Sequence, residues 1–287
     1  MISRLVVLFM RGLAHLPLSW VRGLGWLLGW LLYLAVGSRR RIVQVNLRLC
    51  FPQWDEARRR EVAREVFVRT AQSFLDRAWL WHADPELVRR RIVVTGAVRE
   101  FAGQEPTIIF APHFAGLDAG ATGLTQQVPR PSLALYTRQS NAAVDAWLLR
   151  GRARFGARLV SHSENVRELV TALRRGEVLY LLPDMNFGPE DSVFVPFYGV
   201  PAATVPVLSR LARLGRAKVV PVVTRMRPYG YEVQVHEAWT GFPTADPVAD
   251  TALMNRRLQE YIDEIPAEYY WVHKRFKTRP PGEPPVY

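Results

Sequence analysis

A histidine and an acid lie five positions apart in the run Ala111-Pro112-His113-Phe114-Ala115-Gly116-Leu117-Asp118. They follow directly on the apolar run Thr107-Ile108-Ile109-Phe110, which reads as a short buried strand that Pro112 helps to stop. His113 is then expected on a loop at the carboxyl end of that strand, where open α/β sheets take their ligands. An imidazole held by a carboxylate is a general base that removes a proton from a hydroxyl. No serine or cysteine nucleophile accompanies the motif, so the hydroxyl reads as the substrate's. On a continuous helix five residues turn through about 500°, so His113 and Asp118 would not share a face. Gly116 is the residue expected to bend the chain between them. The plainer alternative is a loop histidine beside a helix-capping aspartate.

Three other groups could carry chemistry. Asp184, in Pro183-Asp184-Met185-Asn186-Phe187-Gly188-Pro189, follows the most apolar candidate strand and projects at a carboxyl edge too, unless the segment is only a turn. Arg150, Arg152, Arg154 and Arg158 cluster on and after one candidate helix, with Arg150 and Arg154 on one stripe. One of them could meet a phosphate or a developing oxyanion; otherwise they form a solvated face. The segment His273-Lys274-Arg275-Phe276-Lys277-Thr278-Arg279 is densely basic and follows Tyr269-Tyr270-Trp271, which suits either nucleic acid or a lipid interface. No metal-ligand spacing and no glycine-rich phosphate loop is present.

The elements that must position these groups alternate. Strands are expected at residues 92–95, 107–110, 132–136, 158–160, 178–182, 219–224 and 231–235, and helices at 119–127, 141–155, 164–175, 205–214 and 249–264. Asn141 is the expected cap of the second of these helices. The alternation predicts an α/β fold, a mostly parallel central sheet flanked by helices. Upstream, residues 55–87 read as helical, with Pro85 starting a further short helix, and residues 1–38 as a hydrophobic helical membrane anchor. The chain thus divides into an anchor at 1–38, a packing helical segment at 39–91 and a catalytic α/β domain at 92–287, with an extended strap after Arg279.

Charge agrees with an anchor. The formal net charge is +12, and only three of the 38 basic residues are lysines. Residues 1–54 hold seven arginines and no acid, so most of the excess lies on a hydrophobic segment, which favours a membrane over nucleic acid. Its uncharged stretches, 12–21 and 23–38, are 10 and 16 residues long, each short of the ~20 of a typical span. A tilted span across both requires Arg22 to snorkel; an in-plane helix pair is the alternative, and a core helix of a soluble protein a third. Trp26, Trp30 and Tyr33 form a candidate interfacial stripe. Arg39-Arg40-Arg41 directly after the apolar run disfavours a cleaved signal peptide and marks a cytoplasmic flank. The single cysteine, Cys50, excludes an intrachain disulfide.

The spacing from His113 to Asp118 resembles the His-x4-Asp/Glu motif of the glycerolipid acyltransferases. More narrowly, the chain is similar to the late acyltransferases of bacterial lipid A biosynthesis, the lauroyl and myristoyl transferases. The resemblance runs through Arg39-Arg40-Arg41, Asn46-Leu47 and Cys50-Phe51-Pro52; through Asp184 to Ser192-Val193-Phe194-Val195-Pro196-Phe197; and through Trp271-Val272-His273-Lys274-Arg275-Phe276-Lys277-Thr278-Arg279-Pro280. It implies a cofactor-free inner-membrane enzyme, active at the cytoplasmic face, with no nucleic-acid partner. Such an enzyme moves an acyl group from acyl-carrier protein to a hydroxyl of the Kdo-bearing lipid A precursor. His113 and Asp118 fall on the family's catalytic pair, Arg152 on an arginine needed for activity and Asp184 on an essential later aspartate. Arg138, Asn141, Arg150, Arg154, Asn186, Lys274, Arg275 and Lys277 are then expected to bind substrate. Two departures, Tyr136-Thr137-Arg138 in place of a Tyr-Arg pair and Ala203-Thr204-Val205-Pro206 in place of an Ala-Thr-Thr run, bear on acyl length and acceptor subtype. A related enzyme for a phosphatidylinositol mannoside or an aminolipid, and a non-catalytic module that binds anionic lipid, are the rival readings.

Overall fold

A computed structural model describes residues 2–161 and 166–287, residues 2–4 and 161 by their backbone alone. Helices open the chain: α1 (Ile2–Leu13), α2 (Leu18–Ala35), α3 (Gly37–Cys50), α4 (Glu56–His82) and α5 (Pro85–Arg91). Asp55 caps α4 by accepting from the Arg58 N–H at 2.7 Å, and Asp84 with Pro85 starts α5 in the same way. Then strands and helices alternate: β1 (Ile92–Gly96), β2 (Thr107–Phe110), α6 (Leu117–Gln127), β3 (Ser132–Tyr136), α7 (Ala142–Arg152), β4 (Arg158–Ser161), α8 (Val166–Arg174) and β5 (Val178–Leu181). The hairpin β6 (Val193–Phe197) and β7 (Val200–Thr204) follows, and after it α9 (Val207–Gly215), β8 (Lys218–Arg227), β9 (Gly230–Val235) and α10 (Pro247–Glu264). The expected start of α8, at residue 164, lies outside the described residues.

Seven strands form one sheet in the order β1-β9-β8-β2-β5-β3-β4. Every neighbouring pair is parallel except β8 with β9. Strands β2 and β5 are buried along their whole length, as central parallel strands covered on both faces must be. Alternate residues feed two cores. Ile108, Phe110, Leu179 and Leu181 pack with α3, α8, α9 and α10. Ile109, Val178, Tyr180 and Val220 pack with α1, α6, α7 and the end of α4.

The hairpin β6–β7 was not expected from the sequence. Its strands carry Pro196 opposite Pro201, and proline removes ladder donors, so neither segment reads as a strand. A two-stranded ribbon tolerates both on its open edges. Tyr198 and Gly199 turn it with positive φ of 52° and 75°, the conformation a two-residue hairpin loop needs.

Helix α2 lies along α4. A Cβ on Gly25 would fall 2.8 Å from the Gln72 Cα, and one on Gly29 2.5 Å from the Val68 Cα. Arg22 does not snorkel. Its guanidinium turns inward to Asp76 at 3.0 Å and to the carbonyls of Arg227 and Gly230. Asp76, fully buried, also accepts from Tyr231 Oη at 2.7 Å and Trp79 Nε1 at 3.0 Å.

Candidate active site

The register of β2 on β5 decides which side chains meet at their carboxyl ends. Phe110 lies opposite Leu181, and the Ala111 N–H continues the ladder to the Leu181 carbonyl at 3.0 Å. Three residues further along each strand, His113 stands against Asp184. The His113 backbone N–H donates to Asp184 Oδ2 at 3.0 Å, and His113 Nδ1 lies 2.7 Å from Oδ1. Facing a carboxylate, Nδ1 carries the hydrogen in the neutral ring, which leaves the lone pair on Nε2. Asp184 is fully buried. Burial opposes its charge, but the contacts from His113 outweigh that and hold its carboxyl below the ordinary value.

The sequence reading gave Asp118 the place that Asp184 occupies. The chain does bend at Gly116, which stands at the start of α6 with φ −77° and ψ 7°. Glycine is required there for space, since a Cβ would fall 2.6 Å from Thr224 Cγ2 on β8. The bend sends Asp118 towards α4 and α7 instead of back onto His113. Its Oδ2 accepts from Arg77 Nε at 2.7 Å and its Oδ1 from Arg152 Nε at 2.8 Å. Burial alone would neutralise this carboxyl; the Arg152 and Arg77 guanidiniums outweigh it and hold the acid well below the usual carboxylate range. Asp118 is therefore ionised and shared between two cations.

A cleft of about 620 Å³ runs past both groups. Phe74, Leu117, Leu135, Leu159 and Leu182 give it apolar walls, and its polar lining includes His113, Asp118, Arg77, Arg152, Tyr270, His273 and Glu268, whose carboxylate accepts from the Met226 N–H at 2.9 Å. Apolar walls with convergent polar groups suit a small ligand or one end of a larger one. Asn186 also lines it, fixed by its N–H to His273 Nε2 at 3.1 Å and its side chain to the Arg275 carbonyl at 3.3 Å.

The remaining expected substrate contacts lie elsewhere. Arg275 is fully buried away from the cleft, where it donates to the Ala203 carbonyl at 2.9 Å and Thr204 Oγ1 at 2.7 Å and stacks on Phe197. Arg154 holds the Leu80 and Ala83 carbonyls at the end of α4. Asn141 caps α7. Arg138, Arg150, Lys274 and Lys277 are exposed, and none of them lines the cleft. Spacing along a chain cannot separate an arginine that faces substrate from one that satisfies a helix end.

Residues 1–278 match the family of bacterial lipid A biosynthesis acyltransferases. The lipid A biosynthesis lauroyltransferase of Escherichia coli (strain K12) is 32% identical over 279 residues, covering 95% of this chain and 90% of that one. The chain belongs to the lipid A biosynthesis acyltransferases. The myristoyltransferase of the same organism is 31% identical over 87% of this chain and 78% of its own, and the palmitoleoyltransferase 30% identical over 87% and 82%. Membership makes the protein an acyltransferase of lipid A biosynthesis. It does not select an acyl chain, because those three relatives are named for three different ones.

The stretches that carry the family resemblance frame this acyltransferase's cleft more than they line it. Asn46 of α3, fully buried, donates to the carbonyls of Trp271 at 2.7 Å and His273 at 2.8 Å. The segment so held returns along the His113 loop: Tyr270 N–H donates to the His113 carbonyl at 3.0 Å, and Ala115 N–H to the Glu268 carbonyl at 2.7 Å. Tyr287 reaches back to Asn46 Oδ1 and closes the strap. Burial, with Arg275 beside it, pushes His273 down to about 4, so at neutral pH it is an uncharged acceptor for Asn186. Sequence reasoning passed over Arg77 and took His273 only as part of a basic segment, with no role at the site. Arg77 had a signal, because Thr70, Ser73, Phe74 and Arg77 recur at helical spacing on one face of α4.

Proposed function

We propose that the protein transfers a fatty acyl group from acyl-carrier protein to a hydroxyl of the Kdo-bearing lipid A precursor at the cytoplasmic face of the inner membrane. The observation that carries the chemistry is the 2.7 Å contact between His113 Nδ1 and Asp184 Oδ1. Asp184 fixes the tautomer, so Nε2 takes the proton from the acceptor hydroxyl. The alkoxide adds to the thioester carbonyl, whose oxygen gains the charge that Arg152 holds. As the carbonyl re-forms, the C–S bond breaks and the imidazolium returns its proton to the departing thiolate. Asp184 stabilises the imidazolium throughout, and Asp118 anchors Arg152. The apolar cleft wall suits the acyl chain, and the basic surface suits both an acidic carrier and an acceptor bearing phosphates and carboxylates.

The same chain fits an in-plane membrane attachment. Leu18, Val21, Gly25 and Gly29 of α2 are buried, while Trp20, Leu24, Leu27, Leu31 and Leu34 form an exposed apolar stripe. The buried side lies on α4, which carries Arg58, Arg59, Arg60, Arg64 and Arg69 and cannot enter hydrocarbon with it. A helix clamped to such a neighbour presents one side to lipid and does not cross.

His113→Ala is expected to lower turnover by at least about 10²–10⁴-fold, the usual loss of a general base. Purified enzyme, acyl-carrier donor and lipid acceptor suffice, and near-normal turnover would sink the assignment. Mass spectrometry of lipid A from a deletion strain names the acyl chain and acceptor together, by the chain that is missing.

A further inference from the structure

The mechanism above uses one arginine beside Asp118, and the structure holds two. Arg77 and Arg152 come from different helices and bind opposite oxygens of the same carboxylate, each through Nε alone. Among the described residues, no Nη nitrogen of either has a hydrogen-bond partner, and both side chains line the cleft beside His113. No second carboxylate of the described residues pairs with either one. The trio thus carries an excess positive charge in a partly closed, apolar-walled space. One arginine suffices to neutralise Asp118; the second leaves a cation, its side chain still partly exposed, that can meet an anionic oxygen entering the cleft.

Orientation is fixed as well as charge. The Arg77 guanidinium lies 5.3 Å from the Phe74 ring and 5.4 Å from the Trp81 ring, which hold it against swinging into solvent. Arg152 is brought to it by Gly151, which rests directly on the Trp81 ring. Trp81 therefore touches the mounting of both guanidiniums.

We propose that Arg77 is a second catalytic guanidinium: its Nη–H groups and those of Arg152 together hold the oxygen of the thioester carbonyl as it becomes an anion. As the acceptor oxygen bonds to the carbonyl carbon, the π pair moves onto that oxygen and meets both guanidiniums. The pair returns as the C–S bond breaks, and the thiolate leaves with the proton from His113. Asp118 is the anchor that keeps both donors in place, which explains why this motif acid faces away from the histidine. The proposal rests on the reading of His113 as the base.

The test compares Arg77→Lys and Arg77→Met with the parent enzyme and with His113→Ala, using purified acyl-carrier donor and lipid acceptor. Lysine keeps the charge, but its compact ammonium lacks the planar fork that sets Nε on Asp118 and leaves the Nη groups for the carbonyl oxygen. Both Arg77 variants are expected to lose about 10²–10³ in kcat, as for removal of an oxyanion donor, with KM for each substrate within about threefold. Thermal unfolding verifies that each is folded, and Arg77→Lys alone decides the matter where Arg77→Met unfolds. Parental kcat in Arg77→Lys overturns the proposal. So does a loss confined to KM, which would make the pair a ground-state site for a phosphate or carboxylate. If His113→Ala keeps its turnover, the base assignment fails first; if His113→Ala is inactive while Arg77→Lys is not, only the second guanidinium fails.

Discussion

Asp184→Asn is nearly isosteric, yet it replaces an acceptor that carries charge with an amide that can turn its NH₂ towards His113 Nδ1. That would put the ring hydrogen on Nε2, the nitrogen proposed to take the acceptor's proton, and would leave the imidazolium without its counter-charge. A loss of about 10²–10⁴ in kcat is expected, with KM little changed. Unaltered kcat would mean that the 2.7 Å contact has no part in turnover. His273 makes a different prediction, because it is held neutral. Its folded-state value is lowered from 6.5 to about 4, so between those limits the unfolded chain binds the extra proton. Its contribution to stability is complete above pH 6.5 and is lost as pH falls towards 4. Urea midpoints across that interval should fall less steeply for His273→Gln than for the parent, and parallel curves would contradict the assignment. The two aspartates also show what a sequence withholds at this scale. Counting along the chain pairs His113 with Asp118, five residues away. Only the register of β2 on β5 reveals that a residue 71 positions on stands closer.

Helices α4 and α7 meet through a glycine, and that contact places Arg152. A Cβ on Gly151 would fall 2.2 Å from Trp81 Cδ2, so Gly151→Ala must push α7 off α4. Overpacking of this kind costs about 1–3 kcal/mol, and it would draw Arg152 away from Asp118. Both a lower urea midpoint and a lower kcat are expected; a variant with parental stability and rate would show that α7 can shift without disturbing the site. Most elements were legible beforehand because their physics is local. Strands β2 and β3 are apolar runs between turn residues, and the Asn141 cap of α7 and the Pro85 start of α5 are written in single residues. What was not legible depends on partners distant in sequence. Pro196 and Pro201 argue against strands until they are seen facing one another in a ribbon with two free edges. Arg154 and Arg275 read as substrate contacts until the carbonyls they satisfy are found. Arg22, inside an apolar stretch, has to reach for water only if that stretch spans a membrane, and nothing nearby in sequence announces its buried partner Asp76.

On the proposed in-plane attachment, the molecule as a whole has one side for water and another for lipid. Leu5, Leu8 and Phe9 of α1 are exposed together with the α2 stripe, and Arg39, Arg40 and Arg41 follow at the start of α3. Apolar side chains flanked by cations are the pattern of a helix pair lying in the headgroup region of an anionic membrane. The cleft opens in a domain fastened to that pair by Arg22, Gly25 and Gly29; on the proposed attachment, the acceptor would reach His113 without leaving the bilayer. Replacing Leu27 and Leu31 together by aspartate removes two exposed leucines from the lipid contact, about 1.5–3 kcal/mol each. Partition into vesicles of anionic phospholipid should then fall at least about 100-fold, while the thermal midpoint stays at the parental value because neither side chain is packed. Alkaline carbonate should also release the parent protein from membranes, since an in-plane pair is held by contact area and charge, whereas a spanning helix would remain. Retention after carbonate, or undiminished vesicle binding by the double variant, would mean that α2 leaves its seat on α4 and crosses the bilayer.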